Sequence, residues 1–456
     1  VSTSEIDGPD VVVAGAGGGL VAALRAAEAG LSVLVLDSNE SFRRGNNTSM
    51  STAMIPAMGT RYQKEAGVRD SPQTFLDDVS AKTHGDFNSV AAGALAESSA
   101  ELVEWLADTV GLDISLVTNF AYPGHSVMRC HTIPGHSGAA MLDGILAAVR
   151  ASDLIDMFVP ARLVDFLTEG DTVTGVVVVT PAGREEIPTR AVVLATNGYG
   201  ADEELLGENI PEISEAIYYG SEHSRGDAVR IGQRFGIAVD YLDAYQGHAG
   251  LAMPAASLAT WATVMHGGFL VNSNGLRYGD ETKGYSEYAA ESLKHAQEGS
   301  WIIIDQRIHD SCLEFADYQN VVQSNGVRWA ESVEELAEIS GICAEGLNST
   351  LETSRASAAG SPDDFGRENW EAPLEGPLAA IHVRPALFHT QGGLRIDAYA
   401  RTLREDGSQL NGLYAAGGAA AGISGHGASG YLAGNGLLPA LGLSFIAASH
   451  IVSSLS

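Results

Sequence analysis

A chain of 456 residues is long enough for two or three compact units, and 45% hydrophobic with 18% charged residues is the composition of a folded globular protein rather than a disordered one. Its 26 basic and 57 acidic residues leave a formal charge of -31, which repels phosphate backbones and anionic membrane surfaces and argues against a nucleic-acid partner. Cys130, Cys312 and Cys343 lie far apart and form no CxxC pair, so they read as buried small hydrophobes in a reducing compartment rather than a disulfide scaffold.

The N-terminal VSTSEIDGPD lacks the basic start and apolar core of a signal peptide, and a cytoplasmic protein is expected. Residues 10–37, DVVVAGAGGGLVAALRAAEAGLSVLVLD, then spell a buried strand, a glycine turn, an alanine-rich helix closed by Gly30 and a second strand ending in Asp37. In a dinucleotide-binding βαβ unit the first glycine makes the tight turn and the second admits the pyrophosphate. The third lets the helix pack close on the strand, and an acid about 20 residues on binds the ribose. Gly15 and Gly17 fit the first two tasks, with Gly18 beside them, but Leu20 fills the third slot and glycine comes one place early, at Gly19. A one-residue deletion inside the turn, with Gly19 taking the packing task, accounts for the spacing. A βαβ unit that binds nothing is the other reading of this segment alone.

Ser38 follows the second strand, and RRGNNTSMSTAMIPA (43–57) comes next. Gly45, Asn46, Asn47, Thr48, Ser49 and Ser51 there supply groups that can hydrogen-bond a pyrophosphate or a flavin edge. The stretch HSVMRCHTIPGHSG (125–138) invites a metal reading through His125, Cys130, His131 and His136, but the spacing matches no known zinc site and no metal is expected. It leads into the helix AAMLDGILAAVR, and its Arg129 either points inward to a substrate or sits on the surface. RAVVLATNGYGAD (190–202) reads as a buried strand ending in Thr196, Asn197 and Gly198, a second close approach to a cofactor. SRASAAGSPDDFG (354–366) has the small, polar composition of an exposed loop. Residues 410–451 give a strand, a glycine-rich crossing through Gly417 and Gly418, and a buried helix that Pro439 and small residues keep short of the roughly 20 apolar residues of a membrane span.

In order and wording these segments resemble the FAD-binding domain of the fumarate reductase and succinate dehydrogenase flavoprotein superfamily, which includes the 3-ketosteroid dehydrogenases. The likeness runs over nearly the whole chain and is most specific in GGFLVNSNGLRYGDE (267–281), HTQGGLRID (389–397) and the GLYAAG…GYLAGNG stretch (412–436). It implies an α/β fold: a discontinuous Rossmann-like FAD-binding domain, residues 1–244 and 389–456, with an α+β capping domain inserted over 245–388. It also implies that Gly434, Asn435, Gly436, Leu437 and Leu438 present backbone amides to the flavin, stabilising its reduced anion. The chain departs from the family pattern at Gly418, where a glutamate is common. No histidine stands in 43–57, where respiratory members attach flavin, so the expected FAD is noncovalent.

Aligned on the fumarate reductase pattern, His248 and His389 match two histidines that contact a substrate carboxylate. Two arginines of that pattern are absent: the proton donor falls on or near Tyr285, with Tyr288 the next candidate, and the carboxylate clamp falls on Tyr431. Burying a dicarboxylate without guanidinium partners is costly. Removing hydrogen beside a ketone instead needs a donor for the developing enolate, a base for the α-proton and a flavin to take the hydride. The resemblance to ketosteroid dehydrogenases makes Tyr285 the proton-transferring group and Tyr431 the carbonyl-side donor, acting on a small ketone or enone with a separate electron acceptor. The alternative is a fumarate reductase-like enzyme of carboxylates using His248, His389 and Arg129 or Arg277. A binding module that has lost its cofactor is suggested only by the short glycine turn.

Overall fold

Short runs of valine, leucine and alanine with no polar alternation form strands buried on both faces, the pattern of a parallel sheet covered by helices. Val11–Ala14 and Ala191–Leu194 are such strands, buried at every position. In the computed structural model, which describes residues 8–118, 122, 124–296 and 299–455, they lie side by side at the centre of a nine-stranded sheet. The first seven residues of the stretch read above for a leader fall outside the described residues.

The sheet order is Ile155–Phe158, Val33–Leu36, Val11–Ala14, Ala191–Leu194, Gln409–Ala415, Thr172–Thr180, Arg162–Glu169. Its first five strands run parallel. From Val11–Ala14 the chain goes to Val33–Leu36 on one side and later returns to Ala191–Leu194 on the other. The topological switch point therefore sits at the C-terminal end of Val11–Ala14, where an open α/β sheet binds its ligand.

Against this sheet pack Gly19–Glu28 and the C-terminal helix Leu437–Leu455, and Ser89–Asp108 packs on the latter. Leu437–Leu455 is the one helix among the described residues long and apolar enough to cross a membrane, yet 61% of its apolar window is buried within the protein. Its apolarity has a local cause. Gly442 lies so close to Ser89–Asp108 that a Cβ there would fall 2.5 Å from Leu95, and Ala440 presses on Gly18.

By its internal contacts the chain forms two compact units, one of residues 1–210, 220–245 and 389–456, the other of Pro211–Tyr219 and Gln246–Phe388. Residues 211–219, placed with the first unit on sequence, join the second because Ile217 and Tyr218 pair with Ala386 and Leu387. The second unit is built on a mixed seven-stranded sheet centred on Leu378–Thr390 and flanked by helices such as Tyr285–His295 and Ala344–Ala358.

Two expectations from composition are corrected in this unit. Residues 354–358 end the helix Ala344–Ala358 rather than open a loop. Leu347, Thr350, Leu351 and Ser354 form a buried stripe at helical spacing, and that burial overrides the polar composition. Cys343, read as buried, is exposed, whereas Cys130 and Cys312 are buried.

Candidate active site

The glycine turn divides its tasks differently from the usual spacing. Gly15 adopts φ +118°, and a Cβ there would strike the Ala195 carbonyl oxygen at 2.1 Å, so only glycine makes this turn. A Cβ on Gly19 would fall 2.7 Å from Val13 Cγ1 and 3.0 Å from Ala195, the close helix-on-strand packing of a third glycine. Gly17 fits under Thr48 Oγ1, and Gly18 faces Ala440 of the C-terminal helix. No side chain caps the helix Gly19–Glu28, so its N-terminus keeps its positive end open to an anion. Asp37 accepts the Ala16 amide at 2.8 Å on one oxygen and the Asn39 amide at 2.8 Å on the other. Burial raises its pKa against the lowering effect of those amides.

The polar loop wraps this turn but is partly folded onto itself. Ser49 Oγ donates to the Asn46 carbonyl, Ser51 Oγ to the Thr48 carbonyl, and Asn46 Oδ1 accepts the Ser49 amide. Asn46 Nδ2 also reaches the Ala16 carbonyl, and Asn47 Oδ1 accepts the Ser221 amide. Ser38 Oγ meets His223 Nδ1 at 3.2 Å. Gly45 sits against Asn39, and Gly434, at φ +87°, against Pro56. On the far side of the switch point Asn197 takes φ +64° and its amide donates to Ser224. Gly198 packs on Thr390, Gly418 on Asn197 and Gly417 on Ala440.

Two buried polar atoms near these segments, Thr196 Oγ1 and Asn435 Oδ1, have no partner among the described residues. Such atoms are rare unless a ligand satisfies them. Together with the open helix N-terminus and Asp37 at the end of the second strand, they fit a dinucleotide cofactor.

In the same unit His389 and Tyr431 converge on one glycine. A Cβ at Gly436 would lie 2.7 Å from His389 Nε2 and 3.6 Å from the Tyr431 hydroxyl, and the two rings meet edge to face at 5.9 Å. His389 Nδ1 is approached by Gln391 Nε2 at 3.1 Å. Burial holds the His389 pKa down at about 4, so the ring is neutral at pH 7. Leu437 and Leu438 begin the C-terminal helix directly behind this glycine.

The second unit assembles the other candidates. His248, 4% exposed, is stacked between Tyr285 at 4.7 Å and Phe388 at 5.2 Å, with Trp261 edge-on at 5.7 Å. Its Nδ1 accepts the Gly250 amide at 3.0 Å, so the neutral ring carries its proton on Nε2. Burial pushes its pKa to about 3.

Tyr285 opens the helix Tyr285–His295 after Gly284, whose φ of +147° suits glycine, and Ser286 Oγ accepts the Gly247 amide. The His248 strand and the Tyr285 helix are thereby locked together. Tyr288 is 2% exposed, its hydroxyl lacks a partner among the described residues, and burial raises its pKa well above the ordinary phenol range. It is thus a poor base.

Neither arginine named for anion binding is exposed or idle. Arg129 is fully buried, donating to both oxygens of Asp70 at 3.0 and 3.1 Å and to Asp78, with Phe75 beneath its guanidinium. Both sequence readings of Arg129, surface or substrate, are corrected by this pairing. Arg277 is paired with Glu281 and Asp363 over Trp370. Sequence reasoning also missed that His125, next to Arg129, meets the Ala433 carbonyl at 3.0 Å and so anchors the segment carrying Tyr431. Among the described residues no cluster of three or more His, Cys, Asp or Glu side chains is arranged for a metal.

A parallel sheet with a glycine turn at its switch point defines a dinucleotide-binding protein. The chain belongs to the FAD binding domain family, whose model matches residues 10–437, and FAD is its cofactor. It is 28% identical over 423 residues to the NADH:fumarate oxidoreductase of Klebsiella pneumoniae (strain 342), covering 91% of this chain but only 45% of that relative's length. Among solved structures it resembles the open conformation of a flavocytochrome c3 fumarate reductase, with a TM-score of 0.80, 26% identity and coverage of 98% and 79% of the two chains. It also shares the fold of 3-ketosteroid delta1-dehydrogenase from Sterolibacterium denitrificans, with a TM-score of 0.79, 22% identity and coverage of 98% and 99%.

Proposed function

We propose that the protein is an FAD-dependent oxidoreductase that forms or reduces a carbon–carbon double bond conjugated with a ketone, on a steroid-like or other alicyclic substrate. The first unit holds FAD without a covalent link and carries His389 and Tyr431, and Tyr285 and His248 belong to the second. One observation carries the reading. The candidate groups are neutral, two phenols and two histidines held uncharged by burial, while Arg129 and Arg277 are engaged by carboxylates. Neutral donors suit a carbonyl oxygen and do not balance a dianion.

FAD supplies the hydride acceptor or donor. Tyr431 donates to the ketone oxygen as negative charge develops there, and Tyr285 moves the α-proton, its ring plane held by the stack on His248. A separate electron carrier completes the proposed reaction.

The test is reduction of an artificial acceptor dye by purified protein with a 3-ketosteroid or cyclic ketone. Tyr431→Phe is expected to lower kcat by about 10²–10³-fold, the range for one lost oxyanion donor, with the flavin spectrum unchanged. Unchanged turnover in that variant would overturn the assignment.

A second reading, reduction of an enoate, is favoured by the name of the Klebsiella relative and by Arg384, whose buried Nε lacks a hydrogen-bond partner among the described residues. It expects fumarate or a related enoate to reoxidise the reduced flavin rapidly, and Arg384→Gln to abolish that.

A further inference from the structure

We infer that Gln391, Ser424 and Asn435 form a buried, one-way hydrogen-bond chain that fixes His389 as its neutral Nε2–H tautomer, which makes Gln391 a positioning residue for the chemistry proposed above. The three side chains are 4%, 1% and 0% exposed, so water does not compete for their polar atoms. Asn435 Nδ2 donates to Ser424 Oγ at 3.1 Å. The single hydroxyl proton of Ser424 is then directed to Gln391 Oε1, 2.9 Å away. An amide whose oxygen is so occupied turns its N–H group the other way, and Gln391 Nε2 lies 3.1 Å from His389 Nδ1. A ring nitrogen that accepts a hydrogen bond carries no proton, so the neutral ring keeps its hydrogen on Nε2.

The reverse polarity would leave both protons of the buried Asn435 amide unpaired, where the observed orientation leaves one proton and the oxygen. The competing acceptor for an Nδ1 proton is the Thr390 carbonyl at 3.4 Å, at the long limit of a hydrogen bond. His389 Nε2 emerges over Gly436 beside the Tyr431 hydroxyl, so the chain fixes a second N–H donor next to the carbonyl-side phenol. With the opposite tautomer a lone pair would face the same place and repel a developing enolate. That catalytic consequence rests on the ketone reading, whereas the tautomer itself does not.

The experiment is a two-bond ¹H–¹⁵N correlation spectrum of histidine-labelled, full-length FAD-bound protein at pH 7, with His389 assigned by its loss in His389→Gln. The Nε2–H pattern is expected in the unsubstituted protein. In Gln391→Glu the side chain can only accept, and the pattern is expected to cross to Nδ1–H, with kcat for a ketone falling at least tenfold and KM little changed. An Nδ1–H pattern in the unsubstituted protein, or an unchanged pattern in folded Gln391→Glu, overturns the inference. If Gln391→Glu does not fold or loses FAD, the unsubstituted spectrum alone decides. An Nε2–H pattern in a protein with no ketone turnover would overturn the proposed function and leave the hydrogen-bond chain standing.

Discussion

Gly436 opens the way into the C-terminal helix and leaves room for the His389 ring. Its missing Cβ is space that His389 occupies, with Nε2 at 2.7 Å and Cε1 at 3.0 Å from the place a methyl would take. An alanine there must push the imidazole aside, and what it meets is the far end of a side chain rather than backbone. Gly436→Ala is therefore expected to cost little stability but on the order of a hundredfold in kcat, the effect of a reacting group misplaced by about 1 Å. Thermal midpoint and steady-state turnover measured on one preparation check it; a large drop in midpoint with proportionate activity would show a packing glycine instead.

At the scale of elements, the charged network beneath the Tyr431 segment is the feature most exposed to substitution. Arg129 is fully buried, and Asp70 with its side chain fully inaccessible is its bidentate partner. Removing one member leaves a guanidinium short of counter-charge in a dry site, a loss of about 3–5 kcal/mol. Asp70→Asn is expected to show that loss in urea unfolding and to weaken FAD retention, because Arg129 bonds His125, which bonds the Ala433 carbonyl. A change below about 1 kcal/mol would mean the pairing is replaceable.

The elements themselves were legible where the signal is local. The strand, turn and helix of residues 10–37 follow from hydrophobic runs and glycine, and Gly19 contacts Val13 as a packing glycine must. The helical end of Ala344–Ala358 was not legible because its buried stripe shows only with the partners in place. Arg129 and Gln391 were illegible for a related reason. Their partners, Asp70 and Ser424, lie 59 and 33 residues away, and no spacing rule links such pairs. The one cue in the sequence was Gln391 itself, two residues past His389 in HTQGG.

For the whole molecule, buried neutral histidines and a large negative charge pull pH dependence in opposite directions. His125 and His131 have pKa values depressed to about 4, and His248 to about 3, all chiefly by burial. Unfolded histidine titrates near 6.5, so between that pH and about 4 the unfolded chain binds protons that the folded chain refuses. Stability is therefore full above pH 6.5 and lost as the pH falls. These three groups alone lose about 4 kcal/mol per pH unit near pH 5.5, at 1.36 kcal/mol for each proton. The formal charge of -31 acts the other way, since protonating carboxylates relieves self-repulsion, but that relief belongs mostly below pH 5 and is screened by salt. Urea titrations in high salt from pH 7 to 5 should therefore show stability falling steeply. His125 and His131 lie in the first unit, as does His389 with its pKa also near 4, and His248 lies in the second, so if the units unfold separately the first transition takes up about three protons and the second about one. A pH-independent midpoint over that range would mean that the three rings are already charged in the folded protein, and would remove the neutral-donor argument for His248 with them.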